Sequence, residues 1–278
     1  MTRPVTDPAE LDTGDHLTGP SPATISSLGQ WLALSHRGIT HVVKNGEFVF
    51  AIISPLFLAV CFYIPLRKMM SLQGIDYAQF LMPIIVLQAV GFAASSSAMR
   101  VSMDHTVGIN TRFRVLPMHP AVPPLARLTT NFALLAVSVL FATIICLIIG
   151  WRPQGGVTGT LVLYGVIFAF GIIVSLLADG LGMVADGPET TSQLTALPII
   201  ILGMCSSGFT PIERFDEWIR PFIRNQPVSQ IASAMRGINE GEATWDLVGP
   251  TVWWCVGLAA AAAGLITIGM RKAARAGR

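Results

Sequence analysis

The side chains able to do chemistry are concentrated in one short segment, GINTRFRVLPMHPAVPPLARL, residues 108–128. It holds three arginines, a histidine and four prolines between two long apolar runs. Arginine offers a planar fork of donors to carboxylates, and proline stops a helix. The pattern predicts a short helix over residues 102–116 that ends in a rigid proline turn. Two interpretations explain the composition equally well. The segment is either a docking face for a partner or a loop whose arginines merely mark the cytoplasmic side.

The other reactive residue types form no recognisable catalytic site. None of the five histidines belongs to an HExxH or GxSxG pattern, and the four cysteines lack the spacing of a zinc site. None of the three lysines follows a glycine, as a GxxxxGK[ST] loop requires, so this chain is expected to bind no ATP. We therefore predict no enzyme, no metal site and no cofactor bound by this chain.

The composition indicates an integral membrane protein. Of the 278 residues, 52% are hydrophobic and only 12% are charged, and the mean hydropathy is +0.61. Soluble domains contain about 25% charged residues, so this chain has too little polar surface for water. The net charge of +2 is too small to indicate a nucleic-acid partner.

Six apolar runs are long enough to cross a bilayer, where about 20 apolar residues are needed. Backbone groups in lipid must be satisfied internally, so these runs are predicted to be helices. The fold class is therefore an all-α integral membrane protein with six transmembrane helices. The runs cover residues 48–64, 78–99, 128–150, 157–183, 194–210 and 247–270.

Three segments outside the spans complete the predicted organisation. Residues 1–24 are polar and predicted to be disordered, and residues 25–46 have the pattern of an amphipathic helix on the membrane surface. Residues 211–239 read as two short amphipathic helices that dip into the outer leaflet, separated by breaks at Pro221 and Pro227. A plain interfacial anchor is the alternative for this segment.

Basic residues predict the orientation. With both termini inside, eleven of the eighteen lysines and arginines face the cytoplasm, including those of the tail at residues 271–278. We therefore expect a multi-pass protein of the plasma membrane with both termini cytoplasmic.

Two stretches carry a family resemblance: NTRFRVLPMHP, and ALPIIILGMCSSGFTPIERFDEWIRPFIRNQPVSQIASAMRG. They resemble the permease subunit of type-2 ABC exporters, most closely the daunorubicin-resistance permease B family of actinobacteria. The resemblance extends from Trp31 to the C-terminus. It makes residues 25–46 an interface helix, residues 102–118 a coupling helix, and residues 211–239 outer re-entrant helices, within a permease domain of residues 47–270.

The resemblance implies a transport mechanism with partners. Two permease chains, similar or identical, pair within the membrane lipids, and two separate ATPase chains bind ATP and Mg²⁺. Closure of the ATPases pushes on the coupling helices and opens a path for a lipophilic substrate, such as a cell-envelope lipid or an anthracycline-like drug. The residues expected at the ATPase contact are Asp104, Arg112, Phe113, Arg114, Leu116, Pro117 and Pro120.

The family lines its path with spans one, two and five, which carry no charge near midplane here. The residues expected along the path are Phe57, Phe62, Gln88, Phe92, Ser96, Met204 and Ser206. Those expected at an outer gate are Trp218, Phe222, Asn225 and Gln226. Asp179, the carboxylate within span four, is expected to snorkel to the interface or to pair with a coupling-helix arginine. A chain that mainly scaffolds its partner permease, and a secondary transporter, are the alternative functions.

Overall fold

The computed structural model describes residues 26–108, 118–119 and 121–276, with only the backbone described for residues 273–276. This part of the chain is helical, and an all-α membrane fold is therefore confirmed. A short 3-10 helix lies at Ile212–Arg214. The α-helices are α1 (Ser27–Lys44), α2 (Glu47–Ser71), α3 (Tyr77–Thr106), α4 (Val122–Ile149), α5 (Gly156–Val184), α6 (Pro188–Met204), α7 (Arg220–Asn225), α8 (Pro227–Glu240) and α9 (Trp245–Ala276).

Helix α3 is the centre of the bundle. It contacts α2, α4, α5, α6 and α8, and its side chains fill the main apolar core, with Leu81, Ile84 and Ile85 fully buried. The outer helices α2 and α9 instead expose rows of large apolar side chains. This distribution suits a bundle in lipid, where apolar exposure is not penalised as it is in water.

Local sequence explains where these helices begin and end. Asp76 caps α3 by accepting hydrogen bonds from the backbone N–H groups of Ala78 and Gln79. Gly46 joins α1 to α2 at a φ of +76°, and Gly150 ends α4 at a φ of +117°, both in the left-handed region that glycine tolerates.

Helix α1 packs against α4 and α2 along one face. Trp31 Nε1 donates to Thr129 Oγ1 over 3.2 Å, and Val42 is buried. The apolar side chains on another face are exposed, as expected of a helix at a membrane surface. They are Leu28, Leu32, Ile39 and Val43.

The fifth predicted span differs from the structure. The sequence predicts a helix over residues 194–210, whereas α6 runs from Pro188 to Met204, and residues 205–210 leave the helix. Its 17 residues rise about 26 Å, so α6 is slightly shorter than the hydrocarbon core. Five other helices in the described part of the chain are long and apolar enough to cross it. The apolar run continues past the helix end, so hydropathy alone misplaced the boundary.

Two further boundaries are corrected. Residues 102–106, assigned by sequence to the coupling helix, are the last turns of α3, and residues 109–117 and 120 lie outside the described part. Pro221 does not break a helix, because it lies in the first turn of α7, where its missing N–H would be unsatisfied anyway. The stretch before it, residues 215–219, is not helical.

Candidate functional site

The most unusual feature of the fold is the non-helical segment after α6, residues 205–210, which we call the outer turn. Ser206, Ser207, Gly208 and Phe209 are buried within it. Irregular backbone at membrane depth is tolerated only where protein groups satisfy its N–H and C=O groups. The outer turn is accordingly surrounded by donors from other helices.

One arginine supplies several of these donors. Arg236 of α8 donates from Nη2 to the carbonyl oxygens of Ser207 (2.9 Å) and Gly208 (3.2 Å). Its Nε donates to the carbonyl oxygen of Phe80 in the first turn of α3 (3.2 Å), and its guanidinium lies 3.8 Å from the Phe80 ring centroid. A single planar fork therefore joins three elements: α8, α3 and the outer turn.

A glutamine between α7 and α8 supplies another donor. Gln226 is buried, and its Nε2 donates to the carbonyl oxygen of Cys205. The hydroxyl of Ser229 accepts from the backbone N–H of Ser207 over 3.0 Å. The Ser207 hydroxyl and Gln226 Oε1 are buried without a hydrogen-bond partner in the described part of the chain. The polar network around the outer turn is thus incompletely satisfied.

Helices α2 and α3 hold the other end of the turn. Tyr77 donates its hydroxyl to the carbonyl oxygen of Phe209 over 3.1 Å, and the Phe209 ring stacks on Phe62 of α2 with centroids 3.9 Å apart. A Cβ at Gly208 would lie 2.6 Å from Ile84, so the turn approaches α3 more closely than a side chain allows.

Helix α6 itself runs antiparallel to α3 in close contact. Thr195 is hydrogen-bonded to Ser95 over 2.8 Å. A Cβ on Gly91 would lie 3.0 Å from Ile199, and one on Gly203 would lie 2.5 Å from the Gln88 amide. Small residues allow this approach, as in other membrane helix pairs.

The structure divides the expected gate residues. Gln226 contacts the outer turn, but the side chain of Asn225 is exposed, and only its backbone oxygen is engaged, by Trp254 Nε1 (2.9 Å). Trp218 and Phe222 are exposed on the surface of this region. Sequence placed all four at one break, whereas only Gln226 reaches the turn after α6.

The expected path residues fall into different environments. Phe57 and Met204 are exposed on the outer surface of the bundle, whereas Gln88 and Ser206 are buried. Phe62 packs on the outer turn, Phe92 contacts the Phe50 ring edge-to-face, and Ser96 is half-buried. These residues therefore do not enclose one path within a single chain.

A second polar cluster lies at the opposite end of α3. Asp179 of α5 is buried and accepts hydrogen bonds from the Ser97 hydroxyl and from Asn131 Nδ2 (2.9 Å). Asn131 Oδ1 accepts from Arg100 Nη2 (2.9 Å), and Arg100 forms an ion pair with Glu47 at the start of α2. The cluster joins four helices. Of the two sequence expectations for Asp179, snorkelling is corrected, because the side chain is held in the interior. The other, a pair with an arginine of the coupling helix, falls on Arg112 and Arg114, which lie outside the described residues.

The ATPase-contact residues are mostly outside the described part: Arg112, Phe113, Arg114, Leu116, Pro117 and Pro120. Asp104, at the end of α3, lies 3.9 Å from Arg127 of α4. Both line a cavity of about 190 Å³ between α1, α3 and α4, together with Arg37 and Arg100. This basic cavity lies directly beside the two ends of the undescribed segment.

The loop between α5 and α6 is tied to the last helix. Lys272 donates to Asp186 Oδ1 over 2.9 Å and to the backbone oxygen of Val184 over 3.0 Å. The hydrogen bond and charge of Lys272 lower the pKa of the exposed Asp186. The basic tail thus begins beside the same end of the bundle as the Asp179 cluster.

Sequence analysis missed the main polar contacts of both clusters. Arg236 and Asn131 lie among apolar residues, and periodicity does not show whether such side chains turn inward or toward water. One sequence signal pointed to the cluster around the outer turn: Arg236 lies within the apolar stretch IASAMRG of a short helix.

Comparison with known proteins agrees with this architecture. Residues 29–239 match the ABC-2 type transporter family. The doxorubicin resistance ABC transporter permease protein DrrB of Mycobacterium tuberculosis is 30% identical over 244 residues, which are 83% of this chain and 84% of that protein.

Two further relatives have related names. The daunorubicin resistance ABC transporter permease protein DrrB1 of Streptomyces coeruleorubidus is 28% identical over 62% of this chain and 61% of its own length. The probable doxorubicin resistance ABC transporter permease protein DrrC of Mycobacterium tuberculosis is 24% identical over 92% of this chain and 94% of its own. With helices that span the bilayer and a family match over most of its length, this chain belongs to the ABC-2 type transporter family, as a permease homologous to the DrrB and DrrC proteins.

Proposed function

We propose that this chain is the membrane subunit of an ATP-driven exporter that moves an uncharged, lipophilic substrate outward across the plasma membrane. One observation carries the substrate class: between residues 48–66, 77–99 and 190–204, the helices α2, α3 and α6 contain no charged residue. A charged substrate would need counter-charges or water along such a path. Drug-resistance names among the relatives suggest an anthracycline-like drug, and a cell-envelope lipid fits the same chemistry.

The family also indicates the partners. ABC permeases work with ATPase subunits, and we propose two separate ATPase chains that bind ATP and Mg²⁺ below this chain, at the end of the bundle that holds Asp104 and Arg127. A second permease, similar or identical, would pair with this one and complete the path. The exposed apolar faces of α2 and α6, which include Phe57 and Met204, support this arrangement because such faces need lipid or another helix to cover them.

Transport by the purified complex tests the proposal. The complex is extracted with its co-purifying chains, which mass spectrometry identifies, and is reconstituted in proteoliposomes. ATP is supplied to the ATPases that face the external medium, and a complex whose ATPase chain lacks its phosphate-binding lysine is the comparison. We expect ATP-dependent movement of an N-acylated doxorubicin, whose amine carries no charge, or of an uncharged fluorescent diacylglycerol analogue, and none of a small organic anion.

Absence of ATP-dependent movement of either probe, in a complex that hydrolyses ATP, would contradict an export role. Movement that persists when this chain is replaced by a second copy of its partner permease would instead favour the scaffolding function.

A further inference from the structure

We propose that Arg236 is a latch that holds the outer end of the transport path closed, by fastening the outer turn to α3 and α8. This inference deepens the proposed export function and rests on it. None of the expected gate residues has this position, whereas the side chain of Arg236, from α8, bonds both the outer turn and α3.

The geometry of the guanidinium supports a latch. Its three hydrogen bonds end on backbone carbonyl oxygens of Phe80, Ser207 and Gly208, and no carboxylate lies within ion-pair distance of it in the described part. Carbonyl oxygens just beyond a helix C-terminus attract a cation through the helix dipole. Two of the three hydrogen bonds of Arg236 end on the outer turn, so movement of that turn removes them and leaves the Phe80 carbonyl oxygen and ring as partners.

The outer turn is buried, and beyond Ser206 its backbone at residues 207–209 is held by side chains of other helices rather than by helical hydrogen bonds. The backbone N–H groups of Cys205 and Ser206 still bond the carbonyl oxygens of Ile201 and Gly203 in α6. Two polar atoms in the same network, the Ser207 hydroxyl and Gln226 Oε1, are buried and find no hydrogen-bond partner among the described residues. Each unpaired buried atom costs free energy, which brings the closed conformation of the outer turn nearer in free energy to an open one. A small difference between two conformations is what allows a ligand to shift their populations.

The alternative is that Arg236 merely stabilises the fold. Loss of the side chain has a different consequence for each role. A latch controls the position of the outer turn, so its loss exposes the turn in the resting state. A structural contact lowers the stability of the bundle without a specific effect on that turn.

Labelling of Cys205, at the first residue of the outer turn, separates these roles without any substrate. The other cysteines, Cys61, Cys146 and Cys255, are replaced by alanine in the complete complex, and the rate of reaction with a maleimide is measured. In the parental complex we expect faster labelling after trapping with ATP and vanadate than at rest. Arg236→Met should raise the resting rate about tenfold or more, because it removes several charge-assisted hydrogen bonds.

Matched variants complete the test. Arg236→Lys keeps the charge but not the planar fork, so its resting rate should fall between the two. Asn239 lies one turn further along α8 and bonds Gln79 and Gln154, away from the outer turn. Asn239→Ala should therefore leave Cys205 labelling at the parental rate.

Several outcomes would overturn the latch. One is an Arg236→Met complex that assembles and labels at the parental rate both at rest and after trapping. Another is an equal increase in Asn239→Ala, which would indicate general loosening. If the Arg236→Met complex fails to assemble, the Arg236→Lys complex alone decides the test. A resting rate of Cys205 labelling equal to the parental rate would then contradict the proposal. A transport failure of the parental complex with the expected labelling would contradict the export function and leave Arg236 supported only as the residue that fixes the outer turn.

Discussion

Asp179 is a membrane-embedded carboxylate that is held by neutral hydrogen-bond donors and has no direct ion pair among the described residues. Its two oxygens accept from Ser97 and Asn131, and Asn131 in turn connects it to Arg100. An intramembrane acid is a functional candidate from sequence alone, because it is costly to keep there. Its partners are separated from it by about 50 and 80 residues, so no local pattern identifies them.

The direction of the hydrogen bonds in this cluster gives a test of it. Asn131 donates to Asp179 and accepts from Arg100, so Asn131→Asp places a carboxylate oxygen against the Asp179 carboxylate. We expect a loss of about 2 kcal/mol or more in stability, measured as the thermal unfolding of the purified complex. Adding Asp179→Asn lets the amide at position 179 donate to the carboxylate at position 131. The double variant should therefore recover most of the lost stability.

The single variant Asp179→Asn is the control for this cycle. It keeps an oxygen for the Ser97 hydroxyl but places an amide N–H₂ against Asn131 Nδ2, which is also a donor, so its stability should be intermediate. If the double variant is as unstable as the sum of the single ones, Asn131 and Asp179 are not coupled, and the contact has no energetic role.

At the scale of elements, apolar runs predicted where helices lie but not where they stop. The run containing α6 continues through residues 205–209, yet the backbone turns there because side chains from α3 and α8 replace the helical partners of its carbonyls. That replacement is tertiary, so hydropathy cannot detect it. The proline at position 221 was misread for a similar reason, because proline begins helices as readily as it ends them.

Close packing of α1 on α4 gives a prediction for the interface helix. A Cβ at Gly38 would overlap the hydroxyl of Thr130. In an isolated helix, Gly→Ala stabilises by about 0.5–1 kcal/mol, whereas overpacking costs about 1–3 kcal/mol. We therefore expect Gly38→Ala to lower the thermal stability of the complex and to reduce ATP-dependent transport, because α1 is pushed away from α4.

A second variant at the contact identifies the cause. Thr130→Ala removes the overlapping hydroxyl and methyl groups, so Gly38→Ala combined with Thr130→Ala should approach parental stability. Thr130→Ala alone should cost little, since the hydroxyl bonds only the Ala126 carbonyl of its own helix. A double variant that stays as unstable as Gly38→Ala would mean that the glycine serves some role other than close approach.

The coupling segment, residues 109–117, lies outside the described residues, and its role remains a prediction from sequence. An exposed ion pair contributes about 0.2–1 kcal/mol, whereas a desolvated apolar anchor at an interface can exceed about 2 kcal/mol. We expect Phe113→Ala or Leu116→Ala to weaken binding of the ATPase chain more than Arg112→Ala, measured by titration of the purified chains. Arg214→Ala, on the predicted outer side, is the control.

Retention of full ATPase binding and transport by all three alanine variants would exclude this segment as the coupling element. The cavity between α1, α3 and α4 would then be the next surface to test, because Asp104 and Arg127 lie at the two ends of the same segment.

For the whole molecule, sequence alone predicted an all-α membrane bundle and a permease family, both of which are confirmed. Composition determines the first, since a chain with 12% charged residues cannot be covered by water. Sequence determines the number of crossings less well, because α6 is short. In the fold, α6 and the outer turn together run antiparallel to α3 from Ser95 to Tyr77, which is most of its span.

The sidedness of the C-terminus decides whether α6 crosses. With six crossings and the N-terminus inside, residues 241–244 face outward and the tail faces the cytoplasm. With five crossings, residues 241–244 face the cytoplasm and the tail faces outward. The labelling site on the α8–α9 side must be exposed. Asn239 at the end of α8 is buried, whereas Ala243 just after it is exposed, so we choose Ala243 together with position 275 in the tail. In a chain without native cysteines, a membrane-impermeant maleimide should label Ala243→Cys in intact cells. It should label Arg275→Cys only after permeabilisation.

The reverse pattern would mean that α6 and the outer turn form a hairpin on one side. Arg236 would then fasten a cytoplasmic structure, and an outer gate at this turn would be excluded.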